Sequence, residues 1–294
     1  MSTPRPTLGA LRGRYGVTAD DLLWDEGACT STQPSRSLRL LATHREEYKP
    51  IKLDEWGAYL LAQISKVARP LPRLRRLAKQ IMRQRTLLEP MATTAFATHL
   101  ETIAQQSRLR YRVESTSTDT QDIYAFAAVS EAVRRINGFR PHPEQLIGAL
   151  GLLEGSIVEM ATGEGKTITA SMAAIVAAWR GLPCHVVTSN DYLAARDCEI
   201  NQTLFALCNL SAASLTGDTE PQSRGAAYQH DIVYTTAQNF LADHLRDDLA
   251  LKGQKERFNV SLKAARAAGT MGGTGVVQIG VHQVIVDEAD SVLI

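Results

Sequence analysis

The segment Thr162-Gly163-Glu164-Gly165-Lys166-Thr167 constrains this chain more than any other feature. It follows a short run that opens on β-branched residues, Ile157–Met160, and reads as a strand. It opens an alanine-rich stretch, Thr167–Trp179, that reads as a helix. Strand, glycine turn and helix opening on Lys-Thr is the arrangement of a phosphate-binding loop. Glycines let backbone N–H groups turn inward around anionic oxygens, and the helix aims its positive end at the same charge. Such a loop works at the carboxyl edge of a parallel sheet, so the rest of the chain must supply parallel strands and crossover helices. The position usually held by the first glycine of the motif is Met160 here.

The remaining pattern after Pro143 meets that demand. Strand candidates His185–Thr188, Asp231–Tyr234 and Gln283–Val286 alternate with helix candidates Tyr192–Cys208 and Ala237–Leu249. The expected fold is α/β: a RecA-like parallel sheet with helices on both faces, preceded by a helical N-terminal region. Residues 269–280 hold five glycines and read as a loop or hairpin, since no Lys-Ser/Thr follows them.

The last strand candidate runs into Asp287-Glu288-Ala289-Asp290, about 120 residues beyond the phosphate loop. Carboxylates at that strand end suit the second half of a nucleotide triphosphatase. Asp287 would hold Mg²⁺, and Glu288 would act as base for an attacking water. Lys166 would reach the β- and γ-phosphates, and the Thr167 hydroxyl would ligate the metal. Gln145 lies 18 residues before Gly163. An amide can both donate to and accept from the edge of adenine, which would favour ATP.

Ahead of this lobe the chain differs in character. Residues 1–45 are rich in Ser, Thr, Pro and Gly and read as a flexible arm. Residues 46–121 read as a helical, basic region. Trp56, Tyr59, Leu60, Ile64 and Val67 recur at helical steps up to Pro70 and Pro72. A second helix then carries Leu71, Leu74, Leu77, Ala78 and Ile81 on one face, and Arg73, Arg75, Arg76, Lys79, Arg83 and Arg85 on the other. Tyr111–Gln121 reads as a polar link, and Asp122–Asn137 as a helix with Phe126, Val129, Val133 and Ile136 as its stripe. Residues 122–294 make up the nucleotide-binding lobe. The formal net charge of +1 conceals this division: residues 1–140 hold 22 Lys+Arg against 14 Asp+Glu, and the remainder 10 against 17. The eight basic residues of Lys66–Arg85 suit an anionic membrane surface or an acidic partner.

Composition excludes several classes. No apolar run of membrane-spanning length occurs, and Met1–Arg14 lacks the apolar core of a secretory signal. Cys29, Cys184, Cys198 and Cys208 have neither disulfide-scaffold nor zinc spacing, as expected of a cytoplasmic protein. Aromatics at 6% argue against a stacking platform for nucleic acid. From the residues alone, a superfamily 2 RNA or DNA helicase lobe and a non-catalytic nucleotide-binding or adaptor module both stay open.

Several stretches resemble the SecA family, the ATPase motors of bacterial preprotein translocation. They are Ala125–Val129, Arg134–Gly138, Gln145–Gly148, Glu159–Thr167, Val187–Asp197, Asp231–Thr236, Leu245–Asp247 and Val286–Ile294, in the family's order. Met160 in place of glycine is also the family's usage. His142-Pro143-Glu144 stands where the family usually has Phe-Asp-Val, and Ala289 where it usually has Val. The resemblance implies ATP and Mg²⁺ as ligands, and a preprotein and a SecYEG-type channel as partners. It also implies a peripheral place at the inner membrane. In such motors ATP sits between two lobes. The strand ending so near Ile294 therefore leads to the expectation of a lobe incomplete at its C-terminus, working with a second ATPase lobe supplied in cis or in trans.

Overall fold

Strands covered on both faces need unbroken apolar, β-branched runs, and two such runs form the centre of the sheet. A computed structural model describes residues 70–114, 119–250, 277–278 and 281–293. In it β1 (Cys184–Thr188) and β3 (Ile232–Thr236) are buried at every position. With β2 (Ala212–Leu215) and β4 (Gln283–Val286) they make a four-stranded sheet of order β2-β3-β1-β4, parallel throughout. The carboxyl ends of β1, β3 and β4 therefore lie along one edge. The expected arm at 1–45, the helical steps from Trp56 to Val67, Lys66, Arg69 and Cys29 fall outside the described residues. So does most of the glycine-rich stretch at 269–280.

The helices in chain order are α1 (Pro70–Leu88), α2 (Thr93–Glu114), α3 (Asp119–Asn137), α4 (Pro143–Leu153), α5 (Lys166–Trp179), α6 (Asp191–Leu207), α7 (Pro221–Ala227), α8 (Ala237–Ala250) and α9 (Ala289–Leu293). The α5 sequence is apolar all round, and every residue from Thr169 to Trp179 is buried, as such a helix requires. Leu74, Leu77, Ala78 and Ile81 of α1 share one continuous core with Phe126 and Val129 of α3, Leu146 of α4, Met172 and Ile175 of α5, and Ile285 of β4. The basic helix thus has its apolar face committed to the lobe. Its arginines and lysine at 75, 76, 79 and 83 stay exposed.

Several expectations need correction. Ile157–Met160 is not a strand: it has no regular secondary structure and pairs with none of the four strands, and Ile157 is fully exposed. The segment instead lies along α4. A side chain at Gly148 would meet Met160 Sδ at 3.3 Å, and one at Gly151 would meet Val158 Cγ2 at 3.1 Å, so two glycines admit it. The polar link at 111–121 is shorter than expected, because α2 runs to Glu114 and α3 starts at Asp119. Leu71 and Ile136, assigned to apolar stripes, are exposed. Arg85, assigned to the exposed basic face, is buried, with Glu89 at 3.8 Å and the Ser130 hydroxyl at 3.5 Å. Four helical steps separate Arg85 from Ile81, which returns it to the buried face.

A buried ion cluster joins α3 to the turn between α1 and α2. Glu131 is completely buried, and Arg134 and Arg135 each donate to it at 2.7 Å. Burial pushes its carboxyl upward, but the hydrogen bonds from Arg134 and Arg135 outweigh this and hold it below the usual carboxylate range. Arg135 also donates to the Met91 carbonyl at 2.8 Å and lies 4.0 Å above the Phe96 ring. The cysteines behave as expected of structural thiols: burial pushes Cys184 up to about 12 and Cys198 up to about 11.

β1 also buries a titratable ring. His185 packs at 5.0 Å from Phe240 and 5.9 Å from Tyr228, and among the described residues its Nδ1 has no hydrogen-bond partner. Burial, with a smaller contribution from His282, lowers its pKa from 6.5 to about 4. Below pH 6.5 the unfolded imidazole takes up a proton that the folded one refuses, so stability falls with acid until the folded ring also titrates. The expected loss between pH 7 and pH 5 is about 2 kcal/mol. Denaturant unfolding at the two pH values measures it, and His185→Phe should remove most of the difference.

Candidate nucleotide site

Each part of the site is placed by the element that carries it. Gly163 and Gly165 adopt φ of +86° and +84°, left-handed values that side chains disfavour. They fold the chain back so that α5 starts at Lys166. Thr169 N donates to the Gly165 carbonyl at 3.1 Å, closing the first turn. Thr162, Gly163, Glu164 and Lys166 are exposed, while Gly165 and Thr167 are half-buried. The loop therefore opens to solvent at the N-terminus of a helix whose remainder is core. The Glu164 carboxylate accepts from its own loop, from Ala161 N at 3.1 Å.

Gln145 is buried against this loop. Its Nε2 donates to the Glu164 carbonyl at 2.7 Å, and its Oε1 accepts from His142 N at 2.9 Å. A Cβ at Gly165 would collide with Gln145 Nε2, so glycine there serves the close approach as well as the turn. Each end of the amide is engaged in one bond, and its second N–H and second acceptor site are not used by these two contacts.

On the opposite side, β4 delivers the carboxylates. β1 and β4 pair from Cys184↔Gln283 to Val187↔Val286, and Asp287 N donates to the Val187 carbonyl at 2.8 Å. Asp287 is half-buried and Glu288 is exposed. Burial raises the pKa of Asp287; the charges of Glu288 and Asp197 add to this, and the hydrogen bond from Glu288 N and the Lys166 ammonium oppose it. α5, which starts at Lys166, packs against β4, so residues 121 positions apart in sequence are carried by neighbouring elements. Asp197 was not a candidate from the sequence. It sits on the buried face of α6, with its carboxylate paired to Arg196 at 2.7 Å.

The start of α6 borders the same edge. Asn190 caps the helix, its Oδ1 accepting from Leu193 N at 2.9 Å, which starts the helix at Asp191, one residue before the expected Tyr192. Asp191 accepts from Gly217 N at 2.7 Å and from Asn239 Nδ2 at 3.0 Å, tying the loop after β2 and the start of α8 to this edge. Among the described residues, no helix is long and apolar enough to cross a membrane.

A family model described as the SecA DEAD-like domain matches residues 61–294. The chain is 39% identical over 224 residues to "Protein translocase subunit SecA 2" of Magnetococcus marinus, covering 76% of this chain and 34% of that protein. It is 36% identical over 248 residues to the protein of the same description from Bordetella avium, covering 83% and 36%. It is also 36% identical over 230 residues to "Protein translocase subunit SecA" of Acinetobacter baumannii, covering 78% and 23%. The chain thus spans about a third or less of the length of these relatives.

Proposed function

The chain belongs to the SecA family, and from that premise we propose that residues 122–294 form a lobe that binds and hydrolyses ATP to drive preprotein translocation. The carrying observation is that α5, which opens on Lys166, packs against β1 and β4, and that β4 runs directly into Asp287 and Glu288. In this reading the amides of the loop Thr162–Thr167 cradle the phosphates, with Glu164 withdrawing its carboxylate. Lys166 neutralises the β- and γ-oxygens, and Gln145 turns from the loop to adenine. Glu288 accepts the proton of the attacking water. Thr167 and Asp287 would hold Mg²⁺. The donor set suits that ion: one hydroxyl and one carboxylate, all hard oxygen, leaving positions for water and phosphate. Bound there, the ion would offset the charge on the β- and γ-phosphates.

The division we propose keeps residues 1–45 as an arm and 46–121 as a helical region. The exposed basic face of α1, at Arg75, Arg76, Lys79 and Arg83, would dock on the anionic inner membrane beside a SecYEG-type channel. Each such residue contributes about 1 kcal/mol near an anionic surface. The ATP cleft would close against a second ATPase lobe, in cis or in trans.

Phosphate release tests this reading. Unfolded polypeptide together with anionic vesicles is expected to stimulate ATP hydrolysis several-fold, and RNA or DNA to leave it unchanged. Stimulation by nucleic acid alone would replace the motor with a helicase lobe.

A further inference from the structure

Beyond the paired ends of β1 and β4, two residues 99 positions apart in sequence meet. The Ser189 hydroxyl donates to Glu288 Oε2 at 2.5 Å. The hydroxyl is itself held, because Asn190 Nδ2 donates to its oxygen at 3.5 Å while Asn190 Oδ1 caps α6. The Glu288 backbone is equally constrained. Its φ is +54°, unusual for a residue with a side chain, its N–H donates to Asp287 Oδ1 at 2.9 Å, and its carbonyl accepts from Ser291 N at 2.8 Å. With the backbone fixed at both sides, the carboxylate's remaining freedom is rotation about its own side-chain bonds. The hydrogen bond from Ser189 removes that freedom.

We propose that Ser189 is a positioning residue for Glu288 in ATP hydrolysis, an inference that rests on the ATPase reading above. In that reaction a water oxygen bonds the γ-phosphorus as the bond from that phosphorus to the bridging oxygen of ADP breaks. The water's proton passes to the Glu288 carboxylate, leaving ADP and inorganic phosphate. A carboxylate has about four acceptor sites. One oxygen engaged by Ser189 still leaves capacity for the water, and the engaged oxygen fixes where the other stands. Ser189 touches neither nucleotide nor water in this scheme, so its loss should act on turnover and not on ATP affinity.

Steady-state phosphate release by the full chain, with thermal unfolding as a check on folding, tests the proposal. Ser189→Ala and Ser189→Val are expected to lower kcat about tenfold, a misplaced base being costly even at ångström scale. KM for ATP should stay within about twofold, since no binding contact is touched. Ser189→Thr, which keeps the hydroxyl, should restore the rate. Ser189→Ala should add nothing to Glu288→Gln. Wild-type kcat in both Ser189→Ala and Ser189→Val overturns the proposal while the ATPase reading stands. So does a loss seen in KM, or a loss that Ser189→Thr fails to restore. If the wild type and Glu288→Gln release phosphate at the same background rate, the ATPase reading itself fails, and the role of Ser189 falls with it.

Discussion

Glu288→Gln is expected to cut ATP hydrolysis roughly a hundred- to ten-thousand-fold, the range that a positioned general base contributes. The substitution is close to isosteric. Its amide oxygen can still accept from the Ser189 hydroxyl, and its backbone faces the same φ of +54° as the glutamate. What it cannot do is take up a proton from water. ATP affinity should therefore hold or rise, and the melting temperature should stay near that of the wild type. Phosphate release read beside a fluorescent-nucleotide titration separates the two effects. A fall in both would mean that Glu288 supports the fold or the binding and not the proton transfer.

Lys166→Ala is expected to act earlier, on binding. The ammonium belongs to the first residue of α5, which follows a loop that carries an acidic side chain, Glu164. Losing one charge-assisted contact to phosphate removes about 1.5–3 kcal/mol, or roughly ten- to a hundredfold in ATP affinity. Turnover should fall by a further hundredfold or more, as for loss of a donor that stabilises transition-state charge. Alanine is the strongest helix former and the side chain is exposed, so α5 itself should be undisturbed. The Asp287 carboxyl would lose a cation that opposes its burial and be pushed further up. Circular dichroism should thus match the wild type while nucleotide titration does not.

The parts of this site legible in the sequence are those encoded locally. Two glycines before Lys-Thr announce a turn and a helix start, and Val284-Ile285-Val286 ahead of two carboxylates announces a strand end. β4 accordingly falls on Gln283–Val286, as expected. What escaped depends on distant partners. Ile157–Met160 has the composition of a strand, yet its place is set by Gly148 and Gly151 of α4 and not by the sheet. β2 is Ala-Ala-Ser-Leu, a run with little β-propensity that becomes a strand by pairing with β3. Arg85 looked like one more member of a solvated basic face, and only the packing of α1 on the lobe buries it. The bond between Ser189 and Glu288 spans 99 residues, and no local pattern signals it. Asp197 escaped for the same reason: its closeness to Asp287 follows from the docking of α6 against β1 and β3, and nothing in its immediate neighbours marks it.

The central claim is that the loop Thr162–Thr167 and the carboxylates Asp287 and Glu288 form one nucleotide site. Calorimetric titration of the full chain with ATP and Mg²⁺, run in parallel on Lys166→Ala and Asp287→Asn, bears on it most directly. The account predicts saturable binding at one site per chain, weakened by either substitution and dependent on the metal. Saturable binding that ignores both substitutions, or no binding at all by a folded wild-type chain, would contradict it.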